Sequence, residues 1–281
     1  MYKIDFSDGI SETLLINLYM RSLDFKSDEP ILSDAFSGDV VSGIDYDFTK
    51  FNKSKMSRVG IVIRAKFFDN EAVKFYLQNE NVVIVQVGSG LDTRPLRLEG
   101  ICKNAYFYDI DLPDVITLRE NLIPKAKNNF YIASSMFETA WMDELASKHK
   151  GAKFCFILEG IAMYFNNEMM SGFFRNLGER FDGVIMLDFL NKFMAKQMSK
   201  GRHDVIKFMK NKFDFYGIDD ISEALAWSDK LSHIKTAKMM NMYKSHWGVG
   251  GFIGCFIPQI VNANKMFVFE LKKKNLNVVK S

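Results

Sequence analysis

Residues 82–98 read VVIVQVGSGLDTRPLRL. A β-branched run breaks off at Gly88 and Gly90, and the chain then turns polar. A short apolar run closed by turn residues predicts a strand buried on both faces, of the kind parallel sheets contain. Two glycines without Cβ atoms let the backbone turn sharply there and approach a ligand closely. Asp92 is the expected N-cap of the following helix, with Pro95 tolerated in its first turn.

Outward from this stretch the same alternation continues. Strands are expected at 82–87, 105–110, 129–134, 153–158 and 183–189, with helices at 92–98, 112–122, 138–149 and 167–181 between them. Strands alternating with helices imply a parallel sheet covered on both faces, joined by right-handed crossovers. Beyond Phe189 the alternation lapses. Residues 190–217 are basic and rich in Met and Phe, and read as inserted helices. A helix at 221–231 and strands at 234–240 and 265–273 complete the set.

The first 80 residues read as a helical cap. Ser11 is placed to cap ETLLINLYMRSL, with Ile10 and Leu15 as a hydrophobic staple. A polar passage from Lys26 to Asp47 follows, then a helical stretch SKMSRVGIVIRAKFFD and another, NEAVKFYLQN, opened by Asp69. The expected division is therefore a cap over 1–80 and a Rossmann-like domain over 81–281, with a helical insert at about 190–217.

Composition narrows the partners. A net charge of +3 without a basic, aromatic-interleaved stripe argues against nucleic acid. Cys102, Cys155 and Cys255 form no C-x-x-C pair, and the four histidines show no metal-ligand spacing, so neither disulfides nor a metal is expected. No apolar stretch approaches the roughly 20 residues of a membrane helix, and a cytoplasmic protein is expected. Oligomeric state is not legible.

The turn itself selects a ligand class. It has no Walker lysine, and it lacks the third glycine of G-x-G-x-x-G, which disfavours a nicotinamide oxidoreductase. Asp92 beside the turn would repel a pyrophosphate. In AYFYDIDLPD, Asp109 and Asp111 fall about 20 residues beyond the glycines, where an acid meets a ribose diol. A ribose with no phosphate and a positive charge describes S-adenosylmethionine.

GSGLDTRPLRL, YDIDLPDV and LEGIAMYF, in that order, together with IRAKFFD at 63–69, resemble the leucine carboxyl methyltransferase family, which includes bacterial polyketide O-methyltransferases of the tetracenomycin type. The resemblance covers about residues 10–190 and the last strand. It implies a class I methyltransferase fold: a doubly wound, mostly parallel seven-stranded α/β sheet with helical N-terminal and internal lid additions. Carried over, it implies that Arg64 holds the methionine carboxylate of S-adenosylmethionine, for which a planar guanidinium is shaped. Gly88 would lie against the methionyl part, Asp111 (with Asp109 as a substitute) would take the ribose, and Glu159 would face the cofactor. Tyr164 matches the family's aromatic, with packing its expected job, and Arg21 could assist Arg64 or meet the substrate carboxylate. Where the family often has an Asp-Leu pair at the adenine, this chain has Ser135-Met136, whose hydroxyl and thioether would take its place.

The implied activity is O-methylation of a small molecule. A carboxylate acceptor, first among the alternatives, is already ionised and needs no general base. A phenol or alcohol would need one, with His203 or His246 the first candidates. A protein that binds S-adenosylmethionine without catalysis is the third reading. No catalytic residue is assigned. The Met- and Phe-rich insert (Phe193, Met194, Met198, Phe208, Met209, Phe213, Phe215) reads as its own core or as an apolar substrate wall.

Overall fold

A computed structural model describes residues 1–4, 12–208, 213–254 and 256–272, apart from the Phe252 side chain. The Ser11 cap with its Ile10 staple, Met209, Cys255 and the strand end at Lys273 lie outside them.

Three helices precede the sheet: α1 (Glu12–Phe25), α2 (Ala35–Ser42) and α3 (Lys55–Gln78). α2 was not expected within the polar passage. It forms because the Asp34 carboxylate accepts the Ser37 N–H and caps it. Two helices were expected where α3 runs unbroken for 24 residues. Asp69 does not open a second one; it sits within α3, its carboxylate taken by Arg94 and Arg97 rather than by backbone.

The strands are β1 (Val82–Val87), β2 (Tyr106–Asp111), β3 (Asn129–Ala133), β4 (Lys153–Leu158), β5 (Gly183–Leu190), β6 (Leu231–Lys238) and β7 (Asn264–Leu271). They form one sheet in the order β3-β2-β1-β4-β5-β7-β6. β1 to β5 are parallel, and β7 runs antiparallel to both neighbours. The expected helix at 221–231 is shorter. A capping box between Asp220 and Glu223 starts α9 (Ile221–Leu225), and Leu231 already pairs with Leu271.

Alternation along the strands divides two cores. Val83, Val85, Phe154, Phe156, Ile185 and Leu187 meet α6 (Ala140–Lys148) and α7 (Asn167–Arg180) on one face. Ile84, Phe107, Cys155, Ile157 and Met186 meet α3 on the other, through Val62, Ile63 and Phe68. Fully burying each such side chain contributes about 1.5–3 kcal/mol. α4 (Arg94–Leu98) and α5 (Pro113–Leu122) carry the crossovers after β1 and β2.

The strand order reverses at β1, which lies between β2 and β4. Ligands of open α/β sheets bind at such a switch point, outside the carboxyl ends of the strands. The insert follows β5 as α8 (Lys192–Ser199) and a 3-10 turn (Ile206–Phe208). Leu190, Ala195, Met198 and Phe215 form a small core of its own with Met163.

Candidate functional site

The glycine turn is shaped from beneath. Gly88 and Gly90 have φ of +68° and +51°, a region open mainly to glycine. The N–H groups of Gly88 and Ser89 both donate to the Ile110 carbonyl, at 2.8 and 3.1 Å. From α5 the guanidinium of Arg119 reaches back under the turn, donating to the carbonyls of Gly90 (2.8 Å) and Asp92 (2.9 Å). Its other nitrogen meets Asp109 at 2.7 Å.

That contact separates the two aspartates of β2. Asp109 is fully buried, held by Arg119, Asn129 and Gln86, and serves the turn rather than a ligand. Asp111 lines the cavity above. Its Oδ2 accepts the Gly90 N–H at 2.7 Å and its Oδ1 the Leu112 N–H at 2.8 Å. Burial nonetheless raises its pKa above the usual carboxylate value.

Arg64 projects from α3 into the same place. Its Nε donates to Glu159 Oε1 at 3.2 Å and its Nη1 to Asp188 Oδ2 at 3.0 Å. Burial opposes its charge, but Asp188 and Glu159 hold the guanidinium pKa above normal. Nη2 makes no hydrogen bond to the described residues. Gly160 gives it room: a Cβ there would lie 2.8 Å from Nη2. Glu159 directly follows β4, where it bridges Arg64 and Arg94.

Around this lies an ionic network. Arg21, Arg94 and Arg97 converge with Asp34, Asp69 and Asp92. Burial opposes the Asp92 charge, yet Arg21, Arg97 and Arg94 hold its carboxyl well below the usual range. Thr93, not Asp92, is the cap residue of α4, although Asp92 Oδ1 does accept the Arg94 N–H at 2.8 Å. Arg21 is occupied by Asp92 and the Leu91 carbonyl. With Arg64 and Arg119 the network sets five guanidiniums against six carboxylates, the latter including Asp109, Glu159 and Asp188. On the cavity wall itself, Asp111, Asp92, Glu159 and Asp204 stand with Arg21, Arg64, Arg94 and Arg202.

Arg64, Gly88, Asp111 and Glu159 thus meet on one cavity of about 680 Å³, within the range of small-molecule sites. Ser135 and Met136 are not on its wall. Met136 is buried in the core with Trp141, and Ser135 Oγ accepts the Phe137 N–H at 3.3 Å. Their loop still borders the site, since the Ser134 N–H donates to the Asp111 carbonyl at 2.9 Å. Asp188, Arg94 and Arg119 escaped the sequence reading. A charge inside the apolar run GVIMLDFL was the available sign of Asp188.

Much of the rest of the wall is apolar. Ile61, Met194, Met198, Phe213 and Trp247 contribute, with Tyr164 packed on Phe213 and Phe215 at ring separations of 5.4 and 5.2 Å. Insert methionines therefore serve both its core and the cavity. His203 lines the cavity; His246 does not, and its Nε2 meets the Glu29 carbonyl at 3.1 Å.

The residues present fit S-adenosylmethionine. Arg64 keeps a donor nitrogen for a carboxylate, and Asp111 stands at the sheet edge where a ribose would lie. The Ser89 hydroxyl, also on this wall, is buried without a partner among the described residues. Among the described residues no His/Cys/Asp/Glu group could hold a metal, and no helix is long and apolar enough to cross a membrane.

Comparison with known proteins bears on the family and on the fold. The family model for leucine carboxyl methyltransferase matches residues 19–178, more than half of the chain. Over 184 residues the chain is 29% identical to the tetracenomycin polyketide synthesis O-methyltransferase TcmP of Streptomyces glaucescens. That match covers 64% of this chain and 66% of TcmP. An S-adenosyl-L-methionine-dependent methyltransferase of Gibberella zeae, dpfgK, is 32% identical over 123 residues, 41% of each chain. In structure, a candidate methyltransferase from Thermobifida fusca superposes with a TM-score of 0.56 at 10% identity, covering 90% of this chain and 94% of that one. At that identity the likeness concerns the fold, the doubly wound seven-stranded sheet expected from the sequence.

Proposed function

Because the chain belongs to the leucine carboxyl methyltransferase family, we propose that it transfers a methyl group from S-adenosylmethionine to an oxygen of a small lipophilic molecule. The observation that carries this reading is the convergence of Arg64, Asp111 and Glu159 on one cavity beside Gly88. When bound, the cofactor supplies a methyl group on a sulfonium, ready for in-line displacement.

The chain's own part is alignment and exclusion of water. Arg64 Nη2 would take the methionine carboxylate, with Glu159 and Asp188 fixing the guanidinium plane from behind. Asp111, already anchored to the turn by two N–H groups, keeps lone pairs for the ribose hydroxyls. Gly88 would border the methionyl chain, and the loop bearing Ser135 the adenine, with Met136 packed beneath it in the core. The apolar wall of the insert would receive the acceptor.

For the acceptor oxygen, a carboxylate would react without a base, as expected from the sequence. A hydroxyl is the second reading, favoured by the presence of His203 and Asp204 on the cavity wall. Calorimetry with S-adenosylmethionine and S-adenosylhomocysteine tests the cofactor. Binding of both, weakened by Arg64→Met, is expected; no binding of either sinks methyl transfer. Tight binding without turnover on a panel of aromatic acids and phenols would support the non-catalytic alternative.

A further inference from the structure

S-adenosylmethionine carries an α-amino acid at one end, with a carboxylate and an ammonium on the same carbon. Arg64 Nη2 answers the carboxylate only, since a guanidinium has donors and no acceptor. A buried acceptor for the ammonium stands on the strand beside β5. Asn264 opens β7, its backbone paired with Leu190 at the end of β5. Because β7 runs antiparallel, its start lies at the carboxyl edge of the sheet, and Asn264 lines the cavity.

Asp188 ties Asn264 to Arg64. Its Oδ2 accepts from Arg64 Nη1 and from Asn264 Nδ2, each at 3.0 Å, and its Oδ1 accepts the Gly160 N–H at 2.6 Å. A carboxylate beside a guanidinium only accepts, so the amide turns Nδ2 toward it and Oδ1 away. That Oδ1 is buried and has no partner among the described residues. Buried polar atoms of folded proteins are paired, so this one calls for a donor.

The chemistry around it selects that donor. Arg21, Arg64 and Arg94 on the same wall are already bound to carboxylates. An amide oxygen accepts and never donates, which rejects a carboxylate, while an ammonium offers three N–H groups. With the Asp188 carboxylate one hydrogen bond behind Nδ2, a positive donor is attracted where an anion is repelled. Ser89 Oγ, also unpartnered on this wall, both donates and accepts and so selects neither charge.

We infer that Asn264 Oδ1 accepts from the α-ammonium of S-adenosylmethionine while Arg64 Nη2 holds the carboxylate, one aspartate fixing both. This rests on the reading of the cavity as an S-adenosylmethionine site, and adds to it a residue and a selectivity. The site reads a zwitterion. A ligand without the ammonium forfeits the Asn264 contact and leaves Oδ1 buried and unpaired. A ligand without the carboxylate does the same to Arg64. Asn264 is a binding residue and takes no proton in the methyl transfer.

Calorimetry on the full chain with four ligands tests this: S-adenosylhomocysteine, its desamino analogue, its decarboxylated analogue, and methylthioadenosine, which lacks the amino acid altogether. Asn264→Ala should weaken S-adenosylhomocysteine and the decarboxylated analogue by roughly tenfold or more, the range of a hydrogen bond to a charged group. It should leave the desamino analogue and methylthioadenosine within about twofold, their missing ammonium having nothing to lose. Arg64→Met should show the converse, weakening the desamino analogue and sparing the decarboxylated one. Methylthioadenosine reports a folded adenosine site in each variant, and the ratio of S-adenosylhomocysteine to desamino affinity is the readout, because instability lowers both alike. Should Asn264→Ala not bind methylthioadenosine, Asn264→Thr, which keeps a donor for Asp188 on a residue suited to a strand, gives the same ratio. An equal loss for the desamino ligand, no loss for S-adenosylhomocysteine (a water then satisfying Oδ1), or a desamino analogue as tight as S-adenosylhomocysteine on the parent protein would each overturn the inference. Failure of the parent to bind both S-adenosylhomocysteine and methylthioadenosine would instead sink the methyl-transfer reading, and this inference with it.

Discussion

Arg64 on α3 and Asp188 on β5, 124 residues apart, meet at 3.0 Å, and the other oxygen of the same carboxylate accepts the Gly160 N–H at 2.6 Å. One fully buried side chain therefore sets both the guanidinium plane and the turn after β4. Asp188→Asn can still accept from Gly160, but it leaves Arg64 with Glu159 alone. Removing one partner of a buried pair costs about 3–5 kcal/mol. Thermal unfolding should drop by several degrees, and calorimetry should show S-adenosylmethionine binding at least roughly tenfold weaker, each 1.4 kcal/mol being a factor of ten.

Gly88→Ala meets two obstacles. Its φ of +68° is strained for any side chain, and the new Cβ would lie 2.0 Å from Ile161 Cδ1. Backbone strain of this kind costs about 1–3 kcal/mol. The double variant Gly88→Ala, Ile161→Ala relieves the contact but not the strain. Melting temperature should recover partly in the double variant. Cofactor affinity should recover in neither, because the methyl group still stands where the ligand approaches the turn.

Acid should loosen the molecule through the arginine network. Asp92 and Asp69 titrate below their ordinary values because the surrounding arginines outweigh their burial. A depressed carboxyl contributes stability that is complete above its unfolded pKa near 3.9 and is lost as pH falls through the folded value. Melting temperature should be flat with respect to these groups above about pH 5 and fall steeply below about pH 4. Asp92→Asn should lower it at neutral pH and flatten the acid slope.

Asp111 behaves in the opposite sense. Burial raises its pKa although two N–H groups and Arg119 favour the charge. A carboxyl whose folded pKa lies above the unfolded one lowers stability as pH rises through that window, so the ionised group costs the free protein stability at neutral pH. Asp111→Asn keeps a carbonyl for the Gly90 N–H and removes the charge. The variant should melt no lower than the parent, and higher if the raised pKa dominates, while binding S-adenosylmethionine less tightly. A lower melting temperature with unchanged affinity would assign Asp111 to the turn and not to a ribose.

The inner strands of the sheet were legible because they are buried on both faces. VVIVQV and KFCFIL have no polar face to blur their ends, and both match the observed strands residue for residue. The ambiguity between Asp109 and Asp111 could not be settled from spacing. Period 2 puts both on the same face, and only the reach of Arg119 from α5 decides which is consumed. Asp69 misled for a related reason. An aspartate after an apolar run reads as a cap when its tertiary partners, Arg94 and Arg97, lie 25 and 28 residues ahead. Asp188, Arg94 and Arg119 belong to the same class: buried charges whose meaning is fixed by long-range pairing and not by local pattern.

The adenine end offers the sharpest separation of packing from binding. Met136 is buried beside Trp141, Val87 and Leu158, so Met136→Ala should cost about 2–5 kcal/mol whatever the ligand. Ser135 is only partly buried, and its hydroxyl has a single limiting contact, from the Phe137 N–H at 3.3 Å. Its loop stays beside Asp111 through the Ser134 N–H. If this loop holds the adenine amino group, Ser135→Asp, which restores the carboxylate common in the family, should tighten S-adenosylmethionine binding, because a charge-assisted hydrogen bond is roughly twice as strong as a neutral one. Ser135→Ala should weaken it modestly, with melting temperature of the free protein unchanged in both. Titration of the two variants with S-adenosylhomocysteine and, separately, with a homocysteine analogue lacking adenine isolates the contact. The difference between variants should vanish with the truncated ligand, and its persistence there would place the adenine elsewhere.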